Sequence, residues 1–271
     1  MSMVVLANVA VLDCVAGGGD NGCMIGYPGS KAGSGVYQRI ISQMPPHNVY
    51  VEPFLGTGAV LWRKRPGRIN VGIDADPAMV DRAWARAAGI DGFGERVPEY
   101  FFSVGDGISY LENLRCGPEW LIYCDPPYLR ETRSSQRRLY RCELEASDHV
   151  RFLGACRRLP ARVMVSGYHC ELYDQALSTW RVEEYTAMTH GGKRTEVLWC
   201  NFREPEELHD YRYYGRDYRE RERVGRKRAR WLRRLSEMPV LERRLIESAL
   251  LEVRDRRENR QDAPGSTISD T

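Results

Sequence analysis

No apolar run in these 271 residues approaches the roughly 20 that a membrane-spanning helix needs; the nearest candidate, residues 1–15, is interrupted by Asn8 and Asp13. That stretch has no basic residues ahead of its apolar part, so it does not read as a secretory signal, and the expected address is the cytoplasm. Paired cysteine spacing is missing too: the eight cysteines are scattered, with no CxxC or CxxH pair. A disulfide framework and a zinc site are therefore not expected, and most cysteines read as small core hydrophobes. His149 and His169 lack metal-ligand spacing and read as structural. The net charge of +3 is too small to announce a nucleic-acid partner by itself, so its local distribution matters more. With 42% hydrophobic and 28% charged residues, a disordered or fibrous chain is excluded.

What is present from about residue 50 to 202 is an alternation of short apolar runs with longer amphipathic stretches, the pattern of an α/β protein. The runs predict seven strands, at 48–52, 69–74, 100–104, 120–124, 161–166, 180–185 and 195–202. Helices are expected at 77–88, 107–114, 146–158 and 171–176. Trp62, Trp84, Trp120, Trp180 and Trp199 fall in apolar patterns and are expected in the core. Beyond Phe202 the composition changes: residues 211–234 hold eleven Lys or Arg against three Asp or Glu, with tyrosines and Trp231 interleaved. Residues 229–253 carry a leucine-rich stripe broken by Pro239, which predicts an αα-hairpin. The division expected is a catalytic domain at 1–203, a basic helical extension at 204–261 and a frayed tail at 262–271.

Two motifs carry chemistry. In Val49-Tyr50-Val51-Glu52-Pro53-Phe54-Leu55-Gly56-Thr57-Gly58 an apolar strand runs into a turn with two glycines, where backbone can approach a ligand that a side chain would obstruct. About 20 residues later Asp74 ends a second strand, the position from which an acid holds ribose hydroxyls in nucleoside-binding α/β folds. Taken separately, the turn is also a plain strand-to-helix connection and the acid a helix cap. The second motif is Asp125-Pro126-Pro127-Tyr128, after the apolar run 121–124. Two prolines cannot continue a central strand, so they mark its carboxyl end, where ligands bind in open α/β sheets.

Tyr27-Pro28-Gly29-Ser30-Lys31, Glu52 to Gly58, Asp74, Asp106 and Asp125-Pro126-Pro127-Tyr128 follow one another in an order that resembles the Dam-like adenine-specific DNA methyltransferases, in their compact phage and prophage form. Ser147-Asp148-His149 and Val165-Ser166-Gly167-Tyr168 look like weaker downstream segments of the same family. The resemblance covers most of the chain, about 26–202, and implies a Rossmann-like class I methyltransferase fold: a mostly parallel seven-stranded sheet flanked by helices. It implies S-adenosylmethionine as cofactor and transfer of its methyl group to the 6-amino group of a flipped adenine in DNA, in a phage or restriction-modification setting. Tyr27 and Lys31 would sit by the methionine part, the lysine facing its carboxylate. Glu52, Phe54, Gly56, Thr57 and Gly58 would line the cofactor pocket, Asp74 would hold the ribose, and Asp106 would lie near cofactor and target amine. Asp76 either shares the ribose role or caps the following helix. Asp125 and the Pro126 carbonyl would accept the hydrogens of the amine, with Pro127 stiffening the turn and Tyr128 stacking on the base.

Large members of that family insert a recognition segment before the Asp-Pro-Pro-Tyr motif, and here the interval from Asp106 to Asp125 is too short for one. Residues 130–141 hold five arginines, Arg130, Arg133, Arg137, Arg138 and Arg141, and are the expected nucleic-acid contact. The Arg-rich tail is the second candidate. It either grips phosphates, which carry little sequence information, or packs through its leucine stripe on the sheet domain or in a homodimer. DNA is the expected partner, with no membrane and no metal. An RNA amino-methyltransferase and a catalytically inert nucleic-acid-binding protein on the same scaffold are the alternatives.

Overall fold

The structure, a computed structural model, describes residues 31–33, 35–90, 97–132, 142–189 and 192–261. Tyr27, Arg133, Arg137, Arg138, Arg141 and the tail 262–271 lie outside the described residues. The chain divides into two compact units, residues 1–216 and 217–271. The boundary falls after Arg216 and not after Arg203 because His209 and Asp210 are buried in the first unit, bonded to backbone at Met44 and Arg65.

In the first unit the elements run α1 (Val36–Ile41), β1 (Val49–Glu52), β2 (Ile69–Asp74), α2 (Pro77–Ala88), β3 (Glu99–Val104), α3 (Gly107–Asn113), β4 (Trp120–Cys124), α4 (Ala146–Arg158), β5 (Arg162–Gly167), α5 (Glu171–Ala176), β6 (Arg181–Thr189) and β7 (Gly192–Cys200). The seven strands form one sheet in the order β3-β2-β1-β4-β5-β7-β6. All neighbours are parallel except β7, which runs antiparallel to both β5 and β6. This is the mostly parallel, helix-flanked Rossmann-like sheet of the class I methyltransferase fold.

Side-chain alternation along the central strands explains why both faces must be covered. Val49 and Val51 of β1, with Trp120, Ile122 and Cys124 of β4, enter the core that holds Phe152 and Leu153 of α4. Tyr50, Leu121 and Tyr123 point the other way, into the core with Ile40 and Ile41 of α1 and Val80 and Ala83 of α2. Each such valine, leucine, isoleucine or phenylalanine contributes about 1.5–3 kcal/mol by its burial. Helix α2 starts where Asp76 accepts from the Ala78 amide at 3.1 Å and Pro77 fills the first helical position, where no donor is needed. Of the tryptophans, Trp199 and Trp120 are buried, but Trp84 is 36% exposed; its ring meets the buried Phe102 at a right angle with 5.2 Å between centroids, so it stands at the edge of the core and its expected place inside it is corrected.

The strand order reverses between β1 and β4. Chain leaving β1 is followed on one side by β2 and β3, then returns to β4 on the other, which leaves a crevice beyond the carboxyl ends of these strands.

The second unit consists of α6 (Tyr218–Glu237) and α7 (Val240–Gln261). The expected αα-hairpin is not formed: Leu241 and Leu245 are 81% and 71% exposed instead of packed on α6. Pro239 holds Met238 extended, at φ −77° and ψ 143°, and the two-residue link bends the chain without laying one helix on the other. Among the described residues, no helix is long and apolar enough to cross a membrane.

Candidate active site

At the carboxyl ends of β1, β2 and β4 lies a cleft of about 270 Å³. Its walls bring together Lys31, Glu52, Phe54, Gly56, Thr57, Asp74, Asp106, Asp125, Pro126 and Pro127, residues drawn from five separate parts of the sequence. Asp76, Cys142, Glu143 and Leu144 also line it. The last three carry no signal in the sequence, because only the return of the chain after β4 places them there.

The glycine turn is held by the acid of the neighbouring strand. Gly56 and Gly58 take φ of 50° and 62°, values that side chains rarely adopt. The Gly56 amide donates to Asp74 Oδ2 at 2.6 Å, and the Asp76 amide donates to Asp74 Oδ1 at 2.8 Å. Burial pushes the Asp74 carboxyl up, against the pull of these two amides. Gly58 does not line the cleft; a Cβ there would lie 2.6 Å from the Trp62 indole nitrogen, so this glycine serves packing. Gly107 is tighter still, since a Cβ would come within 2.1 Å of the Pro53 carbonyl oxygen.

Asp106 caps α3, accepting from the amides of Ile108 and Ser109 at 3.2 and 2.9 Å and from the Ser109 hydroxyl at 2.6 Å. Burial opposes its charge, yet the Ser109 and Ile108 hydrogen bonds hold its carboxyl below the usual range. Glu52 is buried and accepts from the Tyr50 hydroxyl at 3.0 Å. Burial pushes its carboxyl up to about 8, so near neutrality it holds a proton while still facing the cleft.

At the other end the sequence reading missed part of the machinery. Lys31, 5% exposed, places its ammonium 2.9 Å from Asp125 Oδ1 and 3.3 Å from Glu196 Oε2. Burial opposes this charge, but the two carboxylates outweigh it and hold the ammonium well above the ordinary lysine range. Glu196 of β7 also accepts from the Tyr128 hydroxyl at 3.2 Å and from the Tyr185 hydroxyl, its cross-strand partner on β6, at 3.1 Å. Burial raises the Asp125 carboxyl; Lys31 pulls against this and Glu196 adds to it. A cluster of one cation and two carboxylates thus stands under the mouth of the cleft. Glu196 stands between the exposed, polar Thr195 and the buried Val197, so no local pattern marked it.

Tyr128 is placed differently from its expected role. It is 8% exposed and absent from the cleft wall. Its hydroxyl joins Lys31 and Glu196, and its ring meets Tyr168 edge-on at 4.8 Å between centroids. In this arrangement Tyr128 is a hydrogen-bonding member of the cluster and not an open stacking face. Tyr168 is half-buried and carries the Arg194 guanidinium 4.1 Å above its ring, with Arg194 anchored on the Thr132 carbonyl at 2.7 Å. Arg130 opens the short 3-10 turn Arg130–Thr132 beside it. Lys31 therefore addresses Asp125 and Glu196 directly. His149 is buried and bonded to the Tyr173 hydroxyl at 2.8 Å, while His169 lies exposed between Asp174 and Glu184. Among the described residues, no His, Cys, Asp and Glu grouping could hold a metal ion.

No protein-family profile matches the sequence, and no curated protein matches it. Among solved structures, TrmK of M. capricolum, in complex with S-adenosylhomocysteine, is 8% identical, with 81% of this chain and 95% of that chain covered and a TM-score of 0.42. Magnesium protoporphyrin IX methyltransferase of Synechocystis PCC 6803, with S-adenosylmethionine bound, is 14% identical over 62% and 76% of the two chains, with a TM-score of 0.40. An rRNA methylase of Streptococcus thermophilus is 10% identical over 60% and 93%, with a TM-score of 0.39.

Proposed function

We propose that this chain transfers a methyl group from S-adenosylmethionine to the exocyclic 6-amino group of adenine in DNA. One observation carries the reading: Asp125, Pro126 and Pro127 open into the same cleft as the glycine turn and Asp74. An acceptor pair suited to an amine thus faces a site suited to a nucleoside.

The donor set fits the cofactor. Asp74 and Asp76, side by side at the end of β2, offer carboxylate oxygens to vicinal hydroxyls, and Glu52 offers a carboxyl to an ammonium. When bound, S-adenosylmethionine supplies an electrophilic sulfonium methyl. The protein's part concerns the amine, whose lone pair is conjugated with the purine ring. Asp125 and the Pro126 carbonyl accept its two hydrogens, draw the nitrogen toward tetrahedral geometry and aim the lone pair out of the ring plane. Pro127 has no amide donor to compete, and its ring fixes the turn. Positive charge developing on nitrogen is met by the Asp125 carboxylate, which is also placed to take the departing proton. Orientation and preorganised charge together are the sources of rate. Lys31 holds Asp125 from behind, and Glu196 balances Lys31. The base is reached only after extrusion from the duplex, at a cost of a few kcal/mol.

The test is methyl transfer from labelled S-adenosylmethionine to duplex DNA, to the same DNA with its adenines replaced, and to RNA of matching sequence. Label in adenine of DNA alone is the expected result. Label confined to RNA overturns the choice of substrate, and no label in either overturns the reaction.

A further inference from the structure

Helix α6 distributes its charge unevenly. It contains nine Lys or Arg and three Glu, and Arg219, Arg223, Arg226, Arg230 and Arg233 recur at alternating spacings of four and three. At about 100° per residue these five, with Lys227 and Arg234, occupy an arc of about 120°. All seven are exposed. The stripe from Arg219 to Arg234 is about 22 Å long at a rise of about 1.5 Å per residue. Val224, Trp231 and Leu235 lie on the opposite side.

Seven like charges on one stripe repel one another, and little on the helix relieves them. Glu220 meets Arg223 at 3.4 Å and Glu222 meets Arg226 at 2.9 Å. Among the described residues no carboxylate lies within ion-pair distance of Arg219, Lys227, Arg230 or Arg233. A surface of this kind is stabilised by a polyanion whose charges recur along a line.

We infer that this basic stripe of α6 grips the phosphates of duplex DNA. Arginine dominates it, and the guanidinium fork matches phosphate oxygens in a bidentate manner that lysine cannot. A helix with its side chains is about 10–12 Å across, close to the width of the B-form major groove, whereas the major groove of an RNA duplex is too deep and narrow to admit it. An anionic membrane fits less well. The apolar side that would enter the lipid is interrupted by Arg221 and Arg228. The choice of DNA rests on the proposed reaction; the stripe itself does not.

The test uses the full chain, without cofactor, and a 20-base-pair duplex of G·C pairs, so that it reads binding with no target base present. One variant carries Gln at Arg223, Arg226, Arg230 and Arg233, and a control carries Gln at Arg221 and Arg228. Gln is a good helix former, and circular dichroism checks that helicity is kept; a third variant with Lys at the four stripe positions keeps charge and helix together. The slope of log binding constant against log salt is expected to become shallower by about 3.6 in the four-Gln variant, at about 0.9 for each phosphate that is no longer neutralised. It is expected to stay unchanged in the control and close to wild type in the Lys variant. An unchanged slope in the four-Gln variant with its helix intact overturns the inference, as does a loss per charge equal to that of the control. Tighter stripe-dependent binding to an RNA duplex, or to phosphatidylglycerol vesicles, overturns the choice of partner. Because no methyl transfer is read, failure here is distinct from failure of the proposed reaction.

Discussion

Lys31 lies 2.9 Å from Asp125, the acid that opens the Asp-Pro-Pro-Tyr motif, and the two stand 94 residues apart in the chain. The cation therefore fixes the Asp125 carboxylate, and Glu196 shares the same ammonium. A side chain held by an ion pair in this way needs less orientation during the proposed reaction.

Asp125→Ala is expected to lower the methyl-transfer rate by at least ~10²-fold, the scale of removing one preorganised charge-stabilising group. Cofactor affinity should stay within a few-fold of wild type. Steady-state rates with calorimetry on the same preparation check both, and near-normal turnover would remove Asp125 from the reaction.

Lys31→Met leaves two buried carboxylates facing each other, so a loss of about 3–5 kcal/mol of stability is expected. Glu196→Gln keeps an acceptor for Tyr128 and Tyr185 and should cost less, about 1–3 kcal/mol. The double variant should be more stable than the sum of the two losses, because removing one carboxylate relieves the repulsion that the missing lysine exposes. Urea unfolding of the four proteins measures this, and strict additivity would mean that the cluster is not energetically coupled.

Asp74→Ala should weaken S-adenosylmethionine binding by about 1.5–3 kcal/mol, the scale of hydrogen bonds to a charged group. Asp74→Asn, which keeps one acceptor for the glycine turn, should lose less. Equal affinity for all three proteins in calorimetry would take Asp74 out of the cofactor site.

At the opposite end of the sheet His209 stacks on His47 with 3.7 Å between ring centroids. It accepts the His47 amide at Nδ1 and, as the neutral tautomer, donates from Nε2 to the Arg65 carbonyl at 2.9 Å. Burial, with Lys64 nearby, pushes the His209 imidazole down to about 4. An unfolded histidine titrates near 6.5, so between those values the unfolded chain binds more protons and stability falls as pH falls. The loss should run from about pH 6.5 to about 4 and be shallower in His209→Gln, as followed by thermal melts across that range. An equal pH dependence in the variant would mean that the His209 imidazole is not the group whose titration lowers stability in this range.

The strands and flanking helices were legible because burial writes a local period: β4 is apolar at every position and ends at two prolines, and α4 repeats its buried residues at helical spacing. Most of the cleft wall was legible for a related reason, since glycine turns, strand-ending acids and prolines act on their immediate neighbours. Glu196 and Tyr185 were not, because their value comes from β6 and β7 folding back beside β5, a pairing no local pattern states. Helix α1, six residues long, is too short to show a period. The exposed Leu241 and Leu245 mark the reverse error, in which an apolar stripe promised a partner that α6 does not supply.

The central claim is that an amine of adenine in DNA receives the methyl group at the cleft formed by Glu52, Asp74 and Asp125. Its most direct test is mass spectrometry of nucleosides from duplex DNA incubated with S-adenosylmethionine and the wild-type protein, with Asp125→Ala as the paired control. The account predicts N6-methyladenine in the first sample and at least ~10²-fold less in the second; no methylated adenine with wild type, or equal amounts in both, would contradict it.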